Sequence, residues 1–208
     1  MTEKNKKKIE DFVDDSQDVV TIKEKNILAK VGEYFIETIK VIILAGITIS
    51  VVRYFLFKPF YVKGQSMEPN YYEKDYLIID ELSYRFREPQ RGEVVVFRAP
   101  SGNDYYLKRI LGLPGERIKV EEGKVVVYND DYPQGVVVEE LYLEEDTQGS
   151  VLLTLGDKQY FVMGDNRDSS YDSRRFGPID KEDIVGRTFL RGWPFTRITK
   201  FDSPSYNL

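Results

Sequence analysis

The chemistry open to this chain is limited by two absences, because its 208 residues include no histidine and no cysteine. Within one chain this excludes a Ser-His-Asp triad, a thiol nucleophile, disulfides, and metals held by imidazole or thiolate. A hydrolase of this composition must pair a serine or threonine with a lysine or a carboxylate, or bind a metal through carboxylates alone. A carboxylate with a pKa of about 4 is too weak a base for serine at neutral pH, whereas a neutral lysine is strong enough.

Lys108 is the candidate base, because a catalytic lysine has to lie in an apolar setting. At the ordinary pKa of about 10.4, only roughly 4 in 10,000 lysines are neutral at pH 7, so burial must lower that pKa. Lys108 lies within the strand-like run YYLKRIL, which a Gly-Leu-Pro-Gly turn follows. By itself, however, a Lys-Arg pair in a strand is usually part of a solvated face.

Ser66 is the candidate nucleophile. It lies in the segment GQSMEP, where Gly64 permits a close approach of the backbone and Pro69 stiffens the chain that follows. A serine in a turn of this kind is ordinary, so this segment alone does not identify a nucleophile.

A dense polar loop, residues 164–177 with the sequence GDNRDSSYDSRRFG, directly follows the apolar strand predicted for Tyr160–Met163. Its acidic start resembles that of a calcium-binding loop, but the glycine expected at the sixth position is missing and Phe176 occupies the twelfth. The arginines of the loop would also oppose a cation. The sequence therefore predicts no metal site, and no cofactor is expected.

Four motifs occur in a fixed order along the chain. They are Ser66-Met67-x-Pro69, then RGEVVVF at Arg91–Phe97, then KRILGLPG at Lys108–Gly115, then Gly164-Asp165-Asn166 through Asp172-Ser173-Arg174. Together they resemble the sequence boxes of bacterial type I signal peptidase (leader peptidase), a membrane-bound serine endopeptidase with a Ser/Lys dyad. The resemblance covers the chain from about residue 40 to residue 200, and the last two motifs are the specific ones.

The resemblance implies a role for each matching residue. Ser66 would be the nucleophile that attacks the scissile carbonyl of a secreted preprotein. Neutral Lys108 would be the general base and would later donate the proton to the leaving amine. Ser170 matches the hydroxyl that orients the lysine ammonium. The remaining matched residues of the polar loop would brace the site as ion pairs: Asp165, Asp172 and Arg174.

The oxyanion hole would use the backbone N–H of Ser66. Some family members add a serine hydroxyl two positions before the nucleophile, but Gly64 occupies that position here. The second donor therefore stays open: a backbone group, a water molecule, or none.

By the same resemblance, the substrate is a preprotein whose signal peptide ends in Ala-x-Ala. Such a peptide could add as an extended strand between the segment that enters Ser66 and the strand at 104–108, with main-chain hydrogen bonds providing affinity. Small pockets for the P1 and P3 side chains would then provide specificity. Met67, Tyr106 and Leu107 are expected to line these pockets.

An apolar run at residues 41–57, VIILAGITISVVRYFLF, contains a single charge at Arg53. As a helix it would span about 26 Å, close to the bilayer hydrocarbon core of about 30 Å, and Arg53 could extend to the interface. We therefore predict one transmembrane helix at 34–60, preceded by a polar, disordered cytoplasmic tail at 1–33. The resemblance implies a single-pass protein of the cell membrane with its catalytic domain on the extracytoplasmic side.

The segment 61–208 is predicted to be a mainly β catalytic domain, built from antiparallel sheet and carried on the N-terminal transmembrane helix. Short β-branched and aromatic runs recur between turn signals, as in RIKV-EEG-KVVVY around Gly123. Residues 129–150 are predicted to form a variable surface excursion. The net charge of −5 argues against a nucleic-acid partner. The expected partners are signal-peptide-bearing preproteins and the phospholipid bilayer, and the protein itself is expected to be a monomer.

Two other functions remain open on sequence alone. A self-cleaving repressor also uses a Ser/Lys dyad on a β scaffold, although residues 1–40 are too short and too acidic for a DNA-binding head. A membrane-tethered β domain could instead bind a partner without catalysis. The role of Trp193 is similarly open, since its Trp-Pro-Phe sequence suits either a membrane contact or a buried core position.

Overall fold

The computed structural model describes residues 30–50, 57–100, 102–204 and 206–207. The chain divides into two compact units, Met1–Val52 and Arg53–Leu208. In the first unit, the described residues 30–50 are helical and are named α1. No helix that the structure describes is both long and apolar enough to span a bilayer. The predicted tail up to residue 29, and residues 51–56 of the predicted transmembrane span, lie outside the described residues.

The second unit consists mainly of β-strands. In chain order they are β1 (Phe57–Tyr61), β2 (Tyr76–Asp80), β3 (Val94–Arg98), β4 (Tyr105–Gly112), β5 (Arg117–Glu121), β6 (Lys124–Tyr128), β7 (Val136–Val137), β8 (Val151–Thr154), β9 (Gln159–Met163), β10 (Ile179–Asp180), β11 (Ile184–Trp193) and β12 (Thr199–Lys200). A short α-helix, α2 (Ser173–Phe176), lies between β9 and β10. Turns of 3-10 helix occupy Ser83–Arg85, Lys181–Asp183 and Phe195–Arg197.

Eight of these strands form one sheet in the order β1-β2-β11-β3-β4-β9-β10, with β12 paired to β11. A second sheet has the order β7-β6-β5-β8. Every strand pair within the described residues is antiparallel. The prediction of a mainly β fold with antiparallel sheet is confirmed, whereas its transmembrane helix stays a prediction.

The β5–β6 hairpin shows how the sequence builds the smaller sheet. Its fully buried side chains are Ile118, Val120, Val125 and Val127. Exposed or half-buried side chains alternate with them along each strand. This alternation is the period of strands with one face on a core. Glu122 and Gly123 connect the strands with φ angles of 52° and 79°, as a two-residue type I′ turn requires. The hairpin predicted around Gly123 is confirmed.

Two clusters of buried side chains hold the region of the candidate site. One cluster packs the β5–β6 side chains against Leu111 of β4 and Phe161 of β9, so that a shared core joins the two sheets. The other cluster contains Met67 together with Leu107 of β4. Because Met67 directly follows Ser66, this packing fixes the turn that carries the candidate nucleophile.

The helix predicted for residues 34–60 ends earlier than expected. Residues 57–60, which the prediction placed in the helix, belong to β1. Pro59 explains the difference, because proline has no N–H to donate and its ring disrupts the interior of a helix. Within the described residues β1 is the outer strand of the large sheet and pairs with β2 alone, a position that tolerates proline.

Candidate active site

The structure brings the side chains of Ser66 and Lys108 into contact. Lys108 Nζ lies 2.7 Å from Ser66 Oγ, although the two residues are 42 positions apart in the chain. Lys108 lies on β4, within the large sheet, and Ser66 lies in the turn that follows β1. The contact places the lysine nitrogen within reach of the hydroxyl proton that a lysine base must accept from a serine nucleophile.

Lys108 is buried, with 4% of its surface exposed. Burial lowers its pKa to about 8; the carboxylates of Asp172 and Asp165 oppose this effect, while the charge of Arg174 adds to it. Relative to the ordinary value of 10.5, the shift corresponds to about 3 kcal/mol. At pH 7 it makes about one lysine in ten neutral.

The backbone of Ser66 is held by the polar loop. Asn166 N–H donates a hydrogen bond of 3.1 Å to Ser66 O, and Tyr71 N–H donates to Met67 O at 2.8 Å in the next turn. Ser66 N–H donates to no group among the described residues, which leaves it free to bind an oxyanion. Gly64 has a φ of 84°, a left-handed conformation that favours glycine, and it offers no side-chain donor.

Asp165 pairs with the residue next to Lys108. Arg109 Nε and Nη2 donate to its two carboxylate oxygens at 2.8 and 2.6 Å, and Asn70 Nδ2 donates to Oδ2 at 2.9 Å. Burial alone would lower the pKa of Arg109, but Asp165 raises it above the ordinary value. This buried bidentate pair ties β4 to the polar loop directly beside Lys108.

Asp172 caps the start of α2 and binds Arg174. Its Oδ1 accepts from Arg174 Nε at 2.8 Å and from the Arg174 N–H at 3.2 Å. Its Oδ2 accepts from Arg174 Nη2 at 2.8 Å and from Gly164 N–H at 3.1 Å. Burial would raise the pKa of Asp172, but Arg174 and the Gly164 N–H lower it below its ordinary value. Asp172 therefore stays charged near Lys108.

Ser170 lies against Gly164 in the same loop, and its side chain is buried. A Cβ atom on Gly164 would come within 2.6 Å of Ser170 Cβ, and closer still to Ser170 Oγ and Ser66 O, so glycine is required there. Ser170 Oγ makes no hydrogen bond of good geometry to a described residue. The structure therefore has no hydrogen bond between this hydroxyl and Lys108, and the orienting role of Ser170 stays a prediction. Gly164 brings the hydroxyl close to the backbone of Ser66.

The acidic residues of the polar loop are not arranged as a metal site. Asp165 and Asp172, the carboxylates that act on Lys108, are both bound by arginine side chains. In the part of the chain that the structure describes, no three acidic side chains are grouped so as to hold a metal ion.

A cleft of about 600 Å³ opens in front of Ser66 and Lys108. Residues 60–67 line one part of it, and residues 103–108 line another, together with Ser169 and Tyr171. The residues predicted to contact substrate all line this cleft: Met67, Tyr106 and Leu107.

Strand β4 has an open edge along this cleft. On one side, its residues 105–109 pair with β3. On the other side, within the described residues, only the part from Arg109 to Gly112 pairs with β9. The backbone groups of Asp104 and Ile110 hydrogen-bond to residues flanking β3. Because backbone groups alternate in direction along a strand, those of Tyr105 and Leu107 point to the open edge.

Sequence reasoning missed three residues of the surrounding network: Arg109, Arg167 and Glu140. Arg109 was detectable, because it adjoins Lys108 in the same apolar run. Arg167 lies in the polar loop, yet only the structure shows that it is 2% exposed. Glu140 belongs to no motif, and no feature of the sequence distinguishes it from other surface carboxylates.

Residues 129–150, predicted to be a surface excursion, pack partly into the protein. Within this segment, β7 pairs with β6, and Val138 and Thr147 are buried. Glu140 Oε2 accepts a hydrogen bond from Arg167 Nη1 at 3.0 Å. The segment therefore supplies part of the surroundings of the polar loop.

The chain is similar in sequence to a family of known proteins. Residues 35–193 match the family model described as signal peptidase, peptidase S26. The probable signal peptidase I-2 of Synechocystis sp. is 38% identical over 173 residues, which are 79% of this chain and 76% of that protein. Signal peptidase I of Leptolyngbya laminosa is 33% identical over 185 residues, 84% and 88% of the two chains. Signal peptidase I P of Bacillus subtilis subsp. natto is 36% identical over 175 residues, 78% and 91%.

Proposed function

The chain belongs to the signal peptidase family, peptidase S26, and on this premise we propose that Ser66 and Lys108 are its catalytic residues. The protein is a serine endopeptidase that removes signal peptides from preproteins, as signal peptidases I do. Family membership separates it from self-cleaving repressors and from tethered domains without catalysis. The observation that carries the proposal is the 2.7 Å contact between Lys108 Nζ and Ser66 Oγ, made by a buried lysine.

The reaction begins when neutral Lys108 takes the proton of Ser66 as Oγ attacks the scissile carbonyl carbon. The resulting ammonium donates that proton to the leaving amine, which is the new N-terminus of the mature protein, and the signal peptide remains on Ser66 as an ester. A water molecule deprotonated by Lys108 then attacks the ester, the signal peptide leaves with a new C-terminal carboxylate, and the ammonium returns its proton to Ser66 Oγ. A pKa of about 8 supports both directions of transfer, because it lies close to neutral pH.

The other groups of the site stabilise charge and orientation. The free N–H of Ser66 is the donor that we assign to the oxyanion. The hydroxyl of Ser170, which is buried without a hydrogen bond of good geometry, would orient the Lys108 ammonium once it forms. Asp165 and Asp172 would stabilise the same ammonium through their charge, and Arg174 holds Asp172 in place.

The signal peptide would bind along the open edge of β4. The backbone groups of Tyr105 and Leu107 can bond an extended peptide that lies between 62–66 and 104–108, as in other cases of strand addition. Met67 and Leu107 are almost fully buried, so their side chains are held rigidly by packing. Together with Tyr106 they would line the pockets for the P1 and P3 side chains. Such pockets suit the small side chains of an Ala-x-Ala sequence.

We also propose that the apolar segment within 34–56 anchors a monomeric protein in the cell membrane, with the catalytic domain on the extracytoplasmic side. Trp193 and Phe195 are 48% and 72% exposed, and their rings lie 4.7 Å apart. Their exposure favours a membrane contact over a core position. Replacing both by serine is expected to slow cleavage in vesicles but not cleavage of a short peptide in detergent. Equal slowing of the two reactions would argue against the contact.

The catalytic proposal is tested with Ser66→Ala and Lys108→Met in lipid, with a preprotein whose signal peptide ends in Ala-x-Ala. Each variant is expected to lose roughly three or more orders of magnitude in kcat. Lys124→Met, at an exposed lysine on β6, is the matched control and is expected to retain activity. Near-normal cleavage by either variant, with the protein folded by circular dichroism, would overturn the assignment.

A further inference from the structure

The backbone of Gly164 is held by charged side chains at both its N–H and its carbonyl group. Its N–H donates to Asp172 Oδ2 at 3.1 Å, and its carbonyl accepts from Arg167 Nε at 3.0 Å. No Cβ atom fits between Gly164 and either Ser66 O or the Ser170 side chain. Because packing here is so close, the position of Gly164 sets the spacing between the Ser66 backbone and the Ser170 hydroxyl.

Arg167 is a buried guanidinium, 2% exposed, whose other partners come from outside the polar loop. Its Nη1 and Nη2 donate to the two carboxylate oxygens of Glu140, and Nη1 also donates to Thr147 Oγ1. The Glu140 side chain is itself 7% exposed. A bidentate pair of this kind fixes the plane of the guanidinium, and therefore fixes the direction of Nε toward Gly164 O.

The same segment also reaches the ion pair beside Lys108. The ring of Tyr142 lies 4.1 Å from the guanidinium carbon of Arg109, and the Tyr142 carbonyl accepts from Asn70 Nδ2 at 3.2 Å. The Tyr142 hydroxyl donates to Glu140 Oε1 at 2.5 Å. Glu140 is therefore connected directly to Arg167 and, through Tyr142, to Arg109 beside Lys108.

We propose that Glu140 is a positioning residue for the peptidase reaction, which acts through Arg167 on Gly164 and so on the geometry of Ser66 and Ser170. The inference rests on the proposed function, since it takes Ser66 as the nucleophile. Glu140 does not line the cleft. Its loss is therefore expected to slow the chemical step and to leave binding of the peptide unchanged.

Glu140→Gln tests this, because it keeps the size of the side chain and removes its charge, leaving Arg167 buried without its paired carboxylate. In the full chain in lipid, kcat for an Ala-x-Ala preprotein is expected to fall by about 10- to 100-fold, with KM unchanged within about twofold. Glu139→Gln is the matched control, since it removes the same charge from an exposed neighbour and should leave kcat unchanged. Thermal unfolding of each variant verifies that it is folded at the assay temperature.

A double variant tests the route through Arg167. Once Arg167→Met has removed the guanidinium, Glu140→Gln is expected to have no further effect on kcat, whereas two independent effects would multiply. If the losses of kcat from the two substitutions multiply in the double variant, Glu140 does not act through Arg167. Equal kcat for folded Glu140→Gln and wild type, or a change in KM alone, would overturn the role of Glu140 itself.

If Glu140→Gln does not fold, Thr147→Val gives the answer. It removes the hydroxyl that accepts from Arg167, and a smaller loss of kcat is expected, with KM again unchanged; unaltered kcat would contradict the proposal. Failure of the underlying function is distinguishable, because it would appear as an inactive wild type or as cleavage by Ser66→Ala.

Discussion

The burial of Lys108 makes a quantitative prediction for the pH dependence of cleavage. The pKa of this lysine is lowered to about 8, and only its neutral amine can accept the proton of Ser66. The value of kcat/KM should therefore rise with pH through one limb near pH 8 and level off above about pH 9.

The size of the rise follows from the fraction of neutral lysine. For a pKa of about 8, this fraction is about 1% at pH 6, about 50% at pH 8 and about 90% at pH 9. Between pH 6 and pH 9, kcat/KM should then increase about 90-fold. A lysine at the ordinary value of 10.5 would give about a 1000-fold increase over this interval and would still be rising at its end.

The assay is the initial rate of cleavage of an Ala-x-Ala peptide that has blocked termini and no histidine or cysteine. The chain itself contains neither residue, so no side chain with an ordinary pKa titrates between about pH 6 and pH 9. A limb near the ordinary pKa of lysine, or a flat profile, would refute the reasoning that burial prepares Lys108 as a base.

Three further predictions concern the same site. Asp172 raises the pKa of Lys108, so Asp172→Asn should move the limb of the pH profile to lower pH, and a limb that stays or moves upward would contradict this electrostatic effect. Lys108→Met removes an amine whose pKa is lower in the folded chain than in the unfolded one. Between about pH 8 and pH 10.5 the unfolded wild type binds more protons than the folded wild type does, so the stability of the wild type rises with pH across this window. Below the window, the variant should therefore be more stable than the wild type by up to about 3 kcal/mol. Denaturant titrations should show this gain shrinking as pH rises through the window; a constant gain would exclude the burial effect. Gly164→Ala should abolish cleavage and lower the unfolding temperature, because its Cβ would overlap Ser170 and Ser66, and full activity in a folded variant would disprove the close packing.

Much of the β fold is predictable because its signals are local. The β5–β6 hairpin follows from β-branched residues on both strands and from Gly123 in the turn between them. No strand was predicted at β1, β10 or β12: β10 and β12 have two residues each, and β1 contains a proline. A strand of two residues, or one that contains proline, shows no alternation of apolar and polar side chains in the sequence. Such a segment becomes a strand because it hydrogen-bonds to a neighbouring strand of the sheet.

By itself, the sequence determined which groups are available for chemistry and the order of the motifs that carry them. Without histidine and cysteine, Lys108 and Ser66 were candidates from composition and local motif alone. Their contact across 42 positions of the chain, and the burial that lowers the pKa of the lysine, were decided by tertiary structure. The pairing of Glu140 with Arg167 was decided there too. Desolvation and ion pairing depend on which distant segments pack together, and a local pattern of residue types does not contain that information.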